Sequence, residues 1–342
     1  MKRFVIGIDV GGTKTACALV DENRVLYGGH SIPSNPELEN ERFFDVIVEE
    51  VKTLLAGQGF DASGRRPAGT RAANGQARLE AAEIAGAGVG MPSFIYYDKG
   101  HIIKTSNLVK IRDFPARDYL SEKLRLQVTL DNDARAAALA EYRHGAGKGF
   151  HNMLYCPVSS GISSAILIGG KLFRGSYGWA GETGHMIATP GEGVECGCGN
   201  RGCYMSWCSG LMIIKHIRQW IDSGEKTIMT ELAGGKEKID SIILEKAHDA
   251  GDRMAVKAFN QMTNWLGIWF YNLYVSLNIN CFVLGGGLVK MGEKLLDPVR
   301  RTFDIYNHDD FPVYFKTAAC GKNCGTLGAA ELAWESCAEN AM

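Results

Sequence analysis

Twice along this chain an apolar strand runs into a turn of small residues, a second strand, another turn and a third strand. The first copy has strands at 4–8, 15–20 and 25–27, joined at Gly11-Gly12 and at Asp21-Glu22-Asn23. The second has strands at 153–158, 163–168 and 171–173, joined at Ser159-Ser160-Gly161 and at Gly169-Gly170. Short apolar runs bounded by Gly, Ser, Asn and Asp read as strands of a β-meander. A repeat of the whole pattern implies an internal duplication. Two related α/β domains are expected, each offering a tight hairpin loop to a cleft between them.

The chain is long enough for that. It has 342 residues, 46% of them hydrophobic, which suffices for two cores. The formal net charge of -1 provides no global basic field, so neither nucleic acid nor an anionic membrane is the expected partner. The start, Met1-Lys2-Arg3-Phe4, enters a short strand and lacks the longer apolar segment of a secretory signal. The apolar stretch 265–277 contains Asn272 and Ser276 and reads as a buried helix rather than a membrane span. Ten cysteines are scattered, with Cys196, Cys198 and Cys203 clustered. That usage suits a cytoplasmic protein with buried thiols and one metal site, not a disulfide framework.

Helical spacing of Phe43, Phe44, Ile47, Val51, Leu54 and Leu55 predicts a helix that starts at Asn35-Pro36 and stops at Gly57. Residues 57–80 are rich in Gly, Ala and Arg and lose all periodicity, so an inserted surface loop with solvated charges is expected. Further strands are expected at 88–91, 101–104, 128–130 and 281–284, and helices at 116–125, 134–142, 210–221, 254–277 and 326–336.

Three stretches carry chemistry. Asp9-Val10-Gly11-Gly12-Thr13-Lys14 combines glycines that let backbone N–H groups approach phosphate with a hydroxyl, a cation and a carboxylate able to hold Mg²⁺ through water. Asp131-Asn132-Asp133 lies where a buried strand meets a helix. A carboxylate there can act as a general base toward a hydroxyl, and one of the three can cap the helix. His185, Cys196, Cys198 and Cys203 fit a fully protein-bound tetrahedral zinc, which leaves no position for activated water and is therefore structural.

Taken together, these stretches resemble the ROK family of bacterial sugar kinases and sugar-responsive repressors, across essentially the whole chain outside 57–80. The loop from Asp9 to Lys14 matches the family's first phosphate motif, and Asn132-Asp133 its catalytic segment, with Asp133 as the base. Glu182-Thr183-Gly184-His185 and the cysteine stretch match its sugar- and zinc-binding signature, and Asn107-Leu108 its Asn-Leu near the sugar. Gly285-Gly286-Gly287 matches the triple glycine near the adenosine pocket, and Gly325, Gly328, Ala329 and Ala330 its final helix. The resemblance implies an α/β, two-domain, actin-like ATPase (ribonuclease H-like) fold. Its small domain would be 1–133 plus about 320–342, and its large domain 134–319. It also implies ATP, Mg²⁺ and structural Zn²⁺, phosphoryl transfer to a hexose-type sugar held by Asn107, Asn132, Asp133, Glu182 and His185, and a homodimer.

Some positions depart from the family pattern. The second phosphate loop keeps Ser160 and Gly161, but Ser159 and Ser163 stand where the family has glycine. If those positions required positive φ, serine would be strained and phosphate binding weakened. Met205 replaces a Glu that bonds the sugar, and Pro92-Ser93 replaces Pro-Gly. These changes define an alternative, a sugar-binding member that has lost catalysis. A repressor is the third reading. It is disfavoured because repressors carry a helix-turn-helix ahead of the first phosphate loop, which here begins at residue 9.

Overall fold

A computed structural model describes residues 1–71 and 78–339. Part of the expected insert, 72–77, lies outside the described residues. The chain forms two compact units. One comprises Met1–Gly149, Ile166–Ala180 and Ala319–Met342, and the other Phe150–Ala165 and Gly181–Ala318. The reading from sequence divided the chain at 133. In the structure the helix Asp133–His144 stays with the first unit, where the last helix, Cys324–Glu339, packs along it.

The first unit is built on a sheet ordered Val128–Asn132, Ala82–Met91, Lys2–Val10, Lys14–Asp21, Leu26–Pro33. The first three are parallel and the last two are added as antiparallel hairpin strands. Alternation along Lys2–Val10 assigns its two faces. Phe4, Ile6 and Ile8 enter the core with Phe43, Phe44, Ile47 and Val51 of the helix Asn40–Gly57. Val5 joins Val20, Ala330, Ala333 and Trp334 on the other side. Two helices thus sandwich the sheet, which explains why the strand is apolar at successive positions instead of alternating.

Two expectations need correction here. The helix begins at Asn40, not at Asn35-Pro36. Asn35 Oδ1 accepts the Glu37 N–H, so this Asn-Pro pair makes a turn. Within the insert, Arg66 is buried rather than solvated. Arg65–Arg66 pairs antiparallel with Ala82–Met91. The Arg66 guanidinium donates to the carbonyls of Gln58 and Glu80 and covers the Phe60 ring at 4.8 Å.

Glu331 of the last helix is fully buried and is paired with Arg24, Arg143 and His144. Burial alone would raise its pKa, but the Arg24 and Arg143 guanidiniums and the hydrogen bond to His144 outweigh it and hold the carboxyl below its ordinary range. The contribution to stability is therefore present above the unfolded value of about 4.5 and lost as pH falls through the lower folded value. Thermal unfolding followed from neutral pH into acid should show a steeper loss below that pH in the wild type than in Glu331→Gln.

In the second unit Met153–Pro157, Cys281–Gly285 and Tyr314–Thr317 form a parallel ladder. Phe270, Phe282, Phe303 and Phe315 interlock on it, with Phe282 and Phe315 stacked at 5.2 Å. Phe270 comes from Arg253–Leu277, a helix started by Asp252, whose side chain accepts the Ala255 N–H. Asn272 of this helix donates to Tyr204 Oη and the Ile268 carbonyl. Among the described residues no helix is long and apolar enough to cross a membrane.

Candidate functional site

The strand Val128–Asn132 carries Asp131 beside Gly90 and ends at the helix Asp133–His144. Its three consecutive polar residues have separate positions. Asn132 caps the helix, its Oδ1 accepting the Ala134 N–H at 2.9 Å, while its Nδ2 donates to the Ser93 carbonyl at 3.4 Å. Asp133 Oδ1 also accepts from the Ala134 N–H, and its side chain is half-buried at the mouth of the helix.

Asp131 is fully buried between two arginines. Arg135 Nη1 lies 3.0 Å from Oδ1, and Arg174 Nε 2.7 Å from Oδ2. Arg135 Nη2 reaches on to the Ala180 carbonyl. Arg135 is only four positions from Asp131, across the strand-to-helix junction. Arg174, 43 positions away, is supplied only by the fold.

The first loop is a tight turn, with Gly11 N–H donating to the Lys14 carbonyl at 2.8 Å. Thr13 and Lys14 are exposed. Asn107 lies against this loop. A Cβ at Gly12 would stand 2.8 Å from Asn107 Cβ, so the glycine permits that contact rather than a positive φ. Asp9 sits at the end of its strand against the first turn of the last helix, where a Cβ at Gly325 would stand 2.2 Å from its Oδ2. Burial raises the Asp9 pKa, and Lys14 pulls against the rise.

The second loop is in the other unit. Ser159 N–H donates to the Gly161 carbonyl. The Ser159 and Ser160 carbonyls accept from Gly210 and Leu211 at the start of the helix Gly210–Asp222. Gly285, Gly286 and Gly287 follow the central strand and are stitched to this loop through Val158, which donates to the Gly285 carbonyl and accepts from Leu288. Neither Ser159 nor Ser163 has positive φ, so the strain considered for these serines is not present. The Met205 Cε lies 3.5 Å from where a Cβ of Gly161 would be, which places the thioether against this loop.

Glu182 opens the short turn Thr183–His185, where Ser164 Oγ and Thr183 Oγ1 are 3.0 Å apart. The four candidate metal ligands converge. One ligand atom each from His185, Cys196, Cys198 and Cys203 falls within 4.8 Å of the others. Cys196 Sγ is 3.4 Å from His185 Nδ1, and Cys198 Sγ is 3.7 Å from Cys203 Sγ. A tetrahedral zinc with Zn–S bonds of about 2.3 Å requires S···S distances of about 3.8 Å, so the donors fit the ion. With Nδ1 turned toward the thiols, Nε2 lies on the opposite edge of the ring. A second grouping, Glu141 with Cys320 and Cys324, is a poorer metal cradle. Both Glu141 oxygens already accept backbone N–H groups, from Ala146, Ala319 and Cys320.

The chain is similar along nearly its whole length to known glucokinases and hexokinases. A glucokinase from Halalkalibacterium halodurans is 30% identical over 345 residues, covering 99% of this chain and 97% of that protein. The crystal structure of a ROK family glucokinase from Streptomyces griseus in complex with glucose and AMPPNP superposes with a TM-score of 0.73 at 28% identity, covering 97% of this chain and 99% of that one. The ROK hexokinase from Thermus thermophilus gives 0.75 at 29% identity, covering 99% and 100%. The fold is the two-domain actin-like ATPase fold of ROK sugar kinases. The ROK family model matches residues 73–336 in a single span that takes in the Asn132-Asp133 segment, the second loop and the cysteine turn, and this chain belongs to the ROK family.

Proposed function

We propose that this chain is an ATP-dependent sugar kinase that phosphorylates a hexose-type sugar. The observation that carries the reading is the near-full-length similarity to glucokinases, 99% of this chain against 97% of a relative, which includes every stretch singled out for its chemistry. Asp133 accepts the proton of the attacking sugar hydroxyl. Asn107, Asn132, Glu182 and the Nε2 edge of His185 orient the sugar. The turn from Gly11 to Lys14 and the loop at Ser160-Gly161 hold the phosphates, and Gly285, Gly286 and Gly287 the adenosine side. Asp9 would hold Mg²⁺, which would neutralise phosphate charge. Rate enhancement comes mainly from positioning and electrostatics. A coupled ADP-release assay over hexoses, N-acetylhexosamines and ketoses tests the reading, and release with none of them would remove it.

A sugar-binding protein that has lost catalysis is the alternative that the altered second loop, at Ser159 and Ser163, and Met205 suggest. The unstrained backbone at both serines weighs against it. Met205 remains a difference in specificity, because a thioether is a weak acceptor where the family supplies a carboxylate.

His185, Cys196, Cys198 and Cys203 hold one structural zinc in this reading. Purified protein should contain about one equivalent by metal analysis. Cys198→Ala should lose the metal and make the segment around it protease-sensitive, since filling such a site contributes folding free energy. Metal-free protein with three titratable thiols, purified without chelator, would overturn the assignment.

A further inference from the structure

Beside the catalytic segment the first unit displays aromatic rings that the proposed reaction does not use. Tyr177 is 61% exposed and Trp179 41%. Large rings grouped in water mark a binding surface more often than isolated exposed side chains do. These rings are held firmly. Trp179 Nε1 donates to the Ile95 carbonyl at 3.2 Å, and its ring meets Phe94 edge-on at 5.9 Å. Tyr177 lies 6.0 Å from Trp179 and meets Tyr96 edge-on at 6.2 Å. Between them Gly178 has φ 89°, and a Cβ there would stand 2.6 Å from the Ile95 carbonyl oxygen, so a glycine is required.

The segment is also fastened to the catalytic strand. Arg174 covers the Tyr97 ring at 3.9 Å and pairs with Asp131, while Arg135 holds the Ala180 carbonyl. On the other side Asn132 Nδ2 donates to the carbonyl of Ser93, the first residue of the strand Ser93–Tyr96 that carries Phe94 and Tyr96. The rings are therefore placed by the same contacts that place Asn132 and Asp131. Lys99 over Tyr96 and Lys104 over Phe94 give the patch a polar rim.

We infer that Tyr177 and Trp179 form a stacking platform for a second, glycosidically linked sugar ring of the substrate, so that the kinase acts on a glycoside in preference to the free hexose. This rests on the kinase reading. A pyranose presents an apolar C–H face that stacks on a fixed aromatic ring without a charged partner, and a rigid Tyr or Trp loses little entropy in receiving it. Two rings match one small-molecule ring, whereas a stable protein interface takes roughly 800 Å² from each side. Continuity with the Asn132-Asp133 segment points instead to an extension of the bound sugar.

The test measures kcat/KM with ATP for glucose, maltose and cellobiose, in the full chain and in Tyr177→Ala, Trp179→Ala and Trp179→Phe. At least one glycoside should be used better than glucose. Each alanine variant should lower the glycoside-to-glucose ratio of kcat/KM about fivefold or more, chiefly through KM, as expected for loss of an aromatic contact. Trp179→Phe keeps a ring without the Ile95 hydrogen bond and should retain most of the ratio. Unfolding midpoints near that of the wild type confirm that the variants fold. An unchanged ratio, or turnover of glucose alone, overturns the platform and leaves the kinase reading standing. If none of these sugars is turned over, calorimetry with the same compounds decides. Glycoside binding weakened by Tyr177→Ala supports the platform while counting against the kinase reading, and no glycoside binding overturns the platform.

Discussion

Asp133→Asn should reduce kcat by about 10²-fold or more while leaving sugar affinity largely intact. The amide preserves shape and hydrogen bonding but cannot take the proton of the attacking hydroxyl. The helix should survive the change, because Asn132 supplies its cap. Steady-state kinetics together with calorimetric binding of a turned-over sugar separate the two effects. A wild-type rate in this variant would place the base elsewhere. Asp131 would then be an unsuitable substitute, since both of its carboxylate oxygens are engaged by arginines inside the protein.

That burial gives Asp131 its own large expected effect, on stability. Asp131→Ala should destabilise the first unit by about 3–5 kcal/mol, the range for breaking a buried ion pair by removal of one partner. The cost arises because Arg135, only 4% exposed at its side chain, would keep its charge in the interior without its carboxylate. Asp131→Asn keeps two polar atoms in place and should cost less, in the range of about 1.5–3 kcal/mol for a lost charged hydrogen bond. Urea unfolding of the three proteins measures the series. A loss under about 1 kcal/mol for Asp131→Ala would mean that Arg135 finds water on its removal, as surface pairs do. Two carboxylates two positions apart are thus expected to fail differently, one in turnover with its fold intact and the other in folding.

Much of this arrangement is local and therefore legible in the sequence. The hairpin turn at Gly11-Gly12, the strand-to-helix junction at Asn132-Asp133 and the cysteine turn are each contained in a few consecutive residues, and backbone stereochemistry with ligand chemistry fixes what they can form. Apolar periodicity likewise located the helix Arg253–Leu277 and the strand Cys281–Gly285 to within about a residue of their observed limits. Local signals failed where two local rules competed, as at Asn35-Pro36, where the Asn side chain closed a turn instead of opening a helix.

The tertiary structure decided what depends on partners distant in sequence. Asp131 and Asp133 look alike as letters, and only the arrival of Arg174 from another part of the chain commits the first of them to structure. Arg66 sits in a run that composition marks as solvated, yet carbonyls from Gln58 and Glu80 and the Phe60 ring bury it. The serines of the second loop could be judged only from their backbone angles. Tyr177 and Trp179 become a surface because Gly178 lets their segment lie flat against Ile95. Sequence specifies turns, caps and ligand sets because those interactions span a few bonds. Burial and pairing of charge belong to the fold, because the groups that neutralise a buried charge are brought to it by chain folding and not by their position along the chain.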